Sequence, residues 1–478
     1  MPTAPGSSPE PEPQAESPAA PVDQRIGWGS DVAAQMLRRL DIPFIALTPG
    51  ASYRGFHDSL VNHLGNEMPK MLLCLHEEHA VAIAHGYAKA SGRAMAVALH
   101  SNVGLMHGSM AIFNAWCDRQ PILIVGATGP LDAARRRPWI DWVHTAQDQG
   151  ALIRHFVKWD DQPGSVEAMP ESFLRAWQIA ATPPRGPVYV CLDATLQERA
   201  LDSEPTFPDH ARFRPPAPPV ADSAAIDAAT RLLASAERPV ILYGRGERTP
   251  EAWQCRVALA ERLGAAMLSD LKAGSMEPSD HRQHAGAPFN RLSRTARKAI
   301  GEADIILSLG WIDLGGLLSQ AFDRNPPSAT IIHAGVDSHL HGGWGKEHGA
   351  LPPVDVYLMG DPDRAAAVLT SRLKNAPLKA PWFEAFDKNE IGVKVGDGPT
   401  MRDVAQALTA AAGDQPLTFA ALPRGWPVAL APHAIRSPIS ARTAAVASAR
   451  GRASPSVPHS HSATAAVLSS AFSATATA

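Results

Sequence analysis

Long apolar runs are absent from this 478-residue sequence. No window approaches the ~18 uninterrupted apolar residues of a membrane-spanning helix, so no segment is expected to enter a bilayer. Basic blocks are absent too. Lys+Arg 44 against Asp+Glu 47 gives a net charge of −3, and no cluster is long enough to track a phosphate backbone, so nucleic acid is not an expected partner. Cysteine is scarce and scattered. Cys74, Cys117, Cys191 and Cys255 include no CxxC pair, which fits free thiols in a reducing, cytoplasmic setting better than a disulfide framework or a zinc site. The opening residues lack the basic and apolar regions of a secretory signal, and seven of the first 21 are proline, the composition of a disordered tail.

What is present is a large core. Hydrophobic residues make up 45% and charged residues 19%, and the length suits about three domains of roughly 150 residues. From Ile26 to about Arg199, short buried-type runs alternate with alanine-rich helical stretches. The runs FIALTPG (44–50), MLLCL (71–75), AMAVAL (94–99), PILIVGATG (121–129) and PVYVCLD (187–193) read as strands. SDVAAQMLRRL, EHAVAIAHGYAKASG and SMAIFNAWCD read as helices between them. This alternation predicts a parallel sheet covered on both faces. A proline-rich stretch (204–223) reads as a linker, and a second alternating unit follows, with strands at 239–244, 265–270, 303–310, 329–337 and 354–361. MRDVAQALTAAA (401–412) reads as a helix, and from about Ala434 the composition collapses into Ala, Ser, Thr, Arg and Pro without a period.

Few residues carry chemistry on pattern alone. His76-Glu77-Glu78-His79 invites a zinc reading, but its histidines are spaced i, i+3 on a strand-to-helix turn, whereas a zinc protease helix needs i, i+4; no metal ligand is assigned. Gly244-Arg245-Gly246 follows a strand as a dinucleotide fingerprint would, yet Thr249 stands where the third glycine belongs, which favours a plain tight turn. His107, Asn114, Trp116 and Asp118 share one amphipathic stretch, where Trp is a core residue more often than a site residue. The best local signal is Glu77, directly after the buried run MLLCL at the carboxyl edge of a parallel strand. Partial desolvation there would suit a carboxylate to proton exchange; the alternative is a first-turn glutamate stabilised by the helix dipole, which Glu78 fits better.

The segment LTPGAS…LLCLHEEHAVAIAHGYAKASGRAMAVALHSNVGLMHGSMAIFNAWCDRQPILIVGATG resembles the pyrimidine-binding domain of thiamine diphosphate enzymes, the acetohydroxyacid synthase, benzoylformate decarboxylase and pyruvate oxidase group. RPVILYGRG…LAERLGAAMLSD…EADIILSLG…HAGVD resembles that group's central domain. The resemblance covers roughly 26–375. It implies that Glu77 bonds N1′ of the cofactor's aminopyrimidine and favours the imino tautomer, whose N4′ takes the C2 proton before attack on a 2-keto acid. Gly50 matches the family glycine where backbone must approach closely, and His107 stands on the cofactor side where the family often has Asn. That place reads Asn102-Val103-Gly104-Leu105-Met106-His107 instead of Gly-Pro-Gly-Ala-Thr-Asn, which argues against an orthodox acetohydroxyacid synthase and leaves the decarboxylase side open.

The family grips the cofactor diphosphate through Mg2+ with a Gly-Asp-Gly motif and a downstream Asn in a third domain. Gly396-Asp397-Gly398 precedes that domain's first helix, and no other such motif follows Leu369. Read one frame over, however, the codons of Ser469 to Thr477 permit Val-Val-Gly-Ile-Leu-Gly-Asp-Gly-Asp, a strand running into the missing motif, and Thr443 to Ala453 permit a glycine-rich loop. The chain is therefore expected to run out of frame from near His433.

The expectations are these. The fold class is α/β, with two parallel-sheet domains and a diphosphate domain only begun. The pieces are a 1–25 tail, a 26–200 pyrimidine-binding domain, a 201–223 linker, a 224–373 Rossmann-like central domain, a 374–433 linker and domain start, and a 434–478 low-complexity tail. The function is thiamine diphosphate- and Mg2+-dependent decarboxylation or carboligation of a 2-keto acid by a homodimer or homotetramer. FAD is not supported, and activity is lost or impaired in this chain. The alternatives are a non-catalytic partner of a complete paralogue and a nicotinamide oxidoreductase using the Gly244 turn.

Overall fold

A computed structural model describes residues 16–22, 25–203, 205–270, 273, 276–278, 281–286, 292–337, 351–383 and 400–412. The readings at Gly396-Asp397-Gly398, at 413–433 and in the C-terminal tail lie outside these residues. Within the stretch read as the opening tail, Glu16 pairs with His57 at 2.9 Å and its carbonyl accepts a hydrogen bond from Asn66 at 2.8 Å.

Two parallel sheets form the molecule, as the strand–helix alternation predicts. The first has β1 (Phe44–Leu47), β2 (Lys70–Leu73), β3 (Met95–Leu99), β4 (Ile122–Thr128), β5 (Asp160–Asp161) and β6 (Val188–Asp193) in the order β2-β1-β3-β4-β6-β5. The second has β7 (Pro239–Tyr243), β8 (Ala266–Ser269), β9 (Ile305–Leu309), β10 (Thr330–Gly335) and β11 (Val356–Met359) in the order β11-β10-β9-β7-β8. All ten predicted strands form. The two-residue edge strand β5 went unread, because two aspartates carry neither an apolar run nor a period.

Alternate strand residues explain the two-sided burial. Ile45, Leu47, Ala98, Leu123, Val125 and Val190 pack on the face covered by helices Gly29–Arg39 and Met169–Ala181. Ala46, Val97, Ile124 and Cys191 pack on the opposite face, against helices Glu77–Ser91 and Ser101–Cys117. The last helix starts eight residues before the run SMAIFNAWCD suggests. Gly104 and Gly108 hid its beginning: a side chain at Gly104 would crowd Glu77 and one at Gly108 would crowd Leu99, so close packing, not a loop, accounts for both glycines.

The sheets are tied at the carboxyl edge of the second. Asp337, just past β10, accepts hydrogen bonds from Arg245 at 2.6 Å and Arg119 at 3.3 Å, while Arg245 also donates to the Cys117 carbonyl at 2.6 Å.

All four cysteines are free thiols. Burial pushes the Cys74 thiol up to about 11 and the Cys191 thiol up to about 12. Little thiolate therefore exists at about pH 8. Both should resist iodoacetamide in the native chain and react once it is unfolded, as mass spectrometry of the labelled peptides would show.

Candidate active site

In a doubly wound sheet, ligands bind outside the carboxyl ends of the strands, where the strand order reverses. In the first sheet that point lies between β1 and β3. The turn after β1 supplies Thr48, Gly50 and Ser52; β3 runs into His100 and Ser101; Glu77 comes from the neighbouring turn after β2.

Glu77 opens helix Glu77–Ser91. The helix is capped by His76, whose Nδ1 accepts the Glu78 N–H at 3.1 Å, and it closes at Gly92 with φ 71°, a left-handed position that glycine takes without strain. Both glutamates sit in the first turn, where the dipole favours them. Glu78 is exposed, whereas Glu77 is only 8% exposed and packs against Gly104. Glu77 is thus held facing the reversal point, and Glu78 takes the ordinary first-turn place.

His107 reaches Glu77 from the next helix, its Nδ1 3.4 Å from Oε2, a long contact made by a solvent-exposed ring. Gly50 lies on the other side of the site. Any side chain there would overlap the His100 ring, so the close approach anticipated at this glycine is made by an imidazole. The structure therefore joins Glu77 to His107 directly and sets Gly50 under His100.

His100 was missed in the sequence, although it directly follows the buried run MAVAL, closer to its strand than Glu77, which has His76 between it and MLLCL. Its Nδ1 lies 2.9 Å from Ser52 Oγ, and its ring centroid is 4.7 Å from that of His144. Burial, then His144, hold its pKa below the usual histidine value, against the opposing charge of Glu77. Tyr53, whose hydroxyl donates to the Thr48 carbonyl, has its acidity suppressed by burial, then by Glu77 and Cys74.

Around these groups, Thr48 Oγ1, Ser101 Oγ and Asn102 Oδ1 are buried and lack a hydrogen-bond partner. Such orphans, beside a buried carboxylate, fit a polar heterocycle with several donors and acceptors. A metal fits less well. His76, Glu77 and His107 bring ligand atoms within 4.8 Å of one another. Yet the His76 and His107 rings stack at 17°, so their in-plane lone pairs do not converge, and His76 Nδ1 is occupied as a cap.

The reversal point of the second sheet is closed. The Gly244 and Arg245 N–H groups donate to the carbonyls of Leu309 and Gly310 at 2.9 and 2.8 Å, and a side chain at Gly244 would overlap the Gly310 backbone. The amides a pyrophosphate would need at that turn are bonded to the adjacent strand end.

Two family models match, described as "Thiamine pyrophosphate enzyme, N-terminal TPP binding domain" over residues 27–153 and "Thiamine pyrophosphate enzyme, central domain" over 226–369, together more than half of the chain. The chain is 24% identical over 310 residues to the acetolactate synthase large subunit of Haemophilus influenzae, covering 65% of this chain and 52% of that protein. It is 27% identical over 319 residues to sulfoacetaldehyde acetyltransferase of Castellaniella defragrans, covering 65% and 49%. The match thus spans about half the length of these curated relatives. In fold it resembles the thiamine diphosphate-dependent 4-hydroxybenzoylformate decarboxylase of Rhodococcus jostii RHA1, with TM-score 0.62 at 20% identity over 82% of this chain and 71% of that one. No helix among the described residues is long and apolar enough to cross a membrane.

Proposed function

The chain belongs to the thiamine pyrophosphate enzyme family, and on that premise we propose that its first sheet carries the pyrimidine side of a thiamine diphosphate site acting on a 2-keto acid. The observation that carries this reading is the buried Glu77 carboxylate beside the strand-order reversal, with the unpartnered Thr48, Ser101 and Asn102 at the ends of the two strands that flank that reversal. Residues 26–200 are read as the pyrimidine-binding domain, 224–373 as the central domain and 374–433 as the opening of the diphosphate-binding domain.

When bound, the cofactor supplies a nucleophilic carbon and a sink for the electron pair released with CO2. The protein's part is proton management and exclusion of water. Glu77 takes a shared proton at the pyrimidine edge, and its burial keeps water from competing. His100, half-buried and biased to the neutral form, is the second polar group of the site, a hydrogen-bond donor for a substrate oxygen.

The groups that would hold Mg2+ and the diphosphate are placed, on this reading, in the frame that the codons past His433 permit. The exposed Leu75, Met106 and Met110 flank Glu77 and His107 in the chain, an apolar rim suited to cover by a second chain, hence a homodimer or homotetramer. The same rim favours a second reading, a chain that lends its pyrimidine domain to a complete paralogue.

The purified 478-residue chain, given thiamine diphosphate, Mg2+ and benzoylformate or pyruvate, is expected to release no CO2 above background. A chain with the frame restored near His433 is expected to turn over a keto acid. Turnover by the 478-residue chain overturns the loss-of-activity reading, and silence from both chains overturns the enzyme reading in favour of the partner.

A further inference from the structure

We propose that Ser52 sets the tautomer of His100, keeping Nδ1 bare and the proton on Nε2, so that in the neutral ring Nε2 is the nitrogen able to donate a hydrogen bond into the site. The argument rests on who can donate. Two groups of Ser52 meet His100 Nδ1, the hydroxyl at 2.9 Å and the backbone N–H at 3.4 Å. A peptide N–H has no lone pair and can only donate, so the nitrogen it meets must accept. The hydroxyl is directed the same way. Ser52 Oγ accepts the Ser101 N–H at 3.1 Å, which occupies one of its lone pairs and leaves its own hydrogen for Nδ1. The relay runs Ser101 N–H to Ser52 Oγ–H to His100 Nδ1.

The backbone is bent to build it. Ser101 is fully buried and holds φ at 42°, a left-handed conformation that costs a residue with a side chain roughly 1–3 kcal/mol. That conformation belongs to the residue whose N–H meets Ser52. The ring cannot easily turn over, because it lies against Gly50, has the Tyr53 ring edge-on at 6.3 Å and faces His144 at 4.7 Å. The charged and titratable groups around it are therefore His144, Tyr53 and Glu77. Ser52 is a positioning residue: it acts on substrate only through His100.

The use of Nε2–H as a hydrogen-bond donor to substrate rests on the keto-acid reading; the tautomer itself does not. The test needs neither cofactor nor turnover. Nitrogen-15 histidine-labelled full chain is examined by long-range proton–nitrogen correlation NMR above the pH at which His100 titrates, with His100→Gln identifying the signal. The expected spectrum shows one protonated-type nitrogen, Nε2, and one bare-type nitrogen, Nδ1. In Ser52→Ala only the long 3.4 Å backbone N–H contact to Nδ1 remains, too weak to hold one tautomer alone, so the two nitrogen shifts should move towards each other as the second tautomer populates, and Ser52→Thr should restore the original pattern. A protonated Nδ1 in the unaltered chain, or an unchanged spectrum in Ser52→Ala, overturns the proposal. If instead the spectrum agrees but His100→Gln leaves turnover of the frame-restored chain intact, the catalytic reading fails and the tautomer assignment stands.

Discussion

Glu77→Gln in the frame-restored chain should lower keto-acid turnover by roughly 10²–10⁴-fold, the usual worth of a positioned proton-transfer group, while leaving the unfolding midpoint nearly unchanged. The substitution keeps the shape of the side chain. Its closest polar contact, the 3.4 Å approach to the exposed His107 ring, is long enough to contribute little to stability. What is lost is the ability to hold a proton in common with a bound heterocycle, because an amide oxygen is a far weaker base than a carboxylate. Steady-state assays beside a urea titration separate the two effects. An unchanged turnover, or a loss that merely tracks unfolding, would count against the role given to Glu77.

Asp118→Ala should destabilise the first sheet's domain by about 3–5 kcal/mol, the range for removing one partner of a buried ion pair. The Asp118 side chain is 2% exposed and that of Lys89 4%, and the carboxylate meets Lys89 Nζ at 2.7 Å and His85 Nε2 at 3.0 Å. Burial alone would raise the Asp118 carboxyl; the Lys89 ammonium and then His85 outweigh it and hold the group well below the usual carboxylate range. A depressed carboxylate pKa contributes stability that is complete above the unfolded value of about 3.9 and disappears as pH falls through the folded value. Urea midpoints of Asp118→Ala and the unaltered chain should therefore differ at neutral pH and converge in strong acid. Replacing the ion pair, Lys89→Met with Asp118→Leu, should recover part of the loss, since neither charge of the pair is then left buried and only His85 loses its partner. The pair also matters to the site. Lys89 and His85 lie on the helix that Glu77 begins, and Asp118 closes the helix that carries His107, so the cluster fixes how those two helices meet.

Much of this was legible in the sequence. Buried parallel strands announce themselves as continuous apolar runs, which is why MAVAL, ILIVGAT and PVILY could each be placed; Glu77 stood out because it stands one residue past the apolar run MLLCL, although Leu73 and Leu75 of that run prove exposed. The start of helix Ser101–Cys117 was obscured by glycines whose purpose, room for Glu77 and Leu99, exists only after folding. His100 obeys the same rule as Glu77, a polar residue at a strand's carboxyl end, and could have been found by applying that rule to β3. Its partners could not. Ser52 stands 48 residues from His100 in the chain, and only the strand order β1-β3 makes them neighbours. Asp118 lay in the region read as amphipathic helix, where nothing local reveals a buried partner 29 residues upstream at Lys89.

The most direct test of a pyrimidine-side site built on Glu77 is the exchange of the C2 proton of thiamine diphosphate in heavy water, followed by quenched-flow NMR with Mg2+ and the frame-restored chain. The predicted result is exchange orders of magnitude faster than for free cofactor, falling towards the free rate in Glu77→Gln. Exchange at the same rate with Glu77 and with Glu77→Gln would contradict the account.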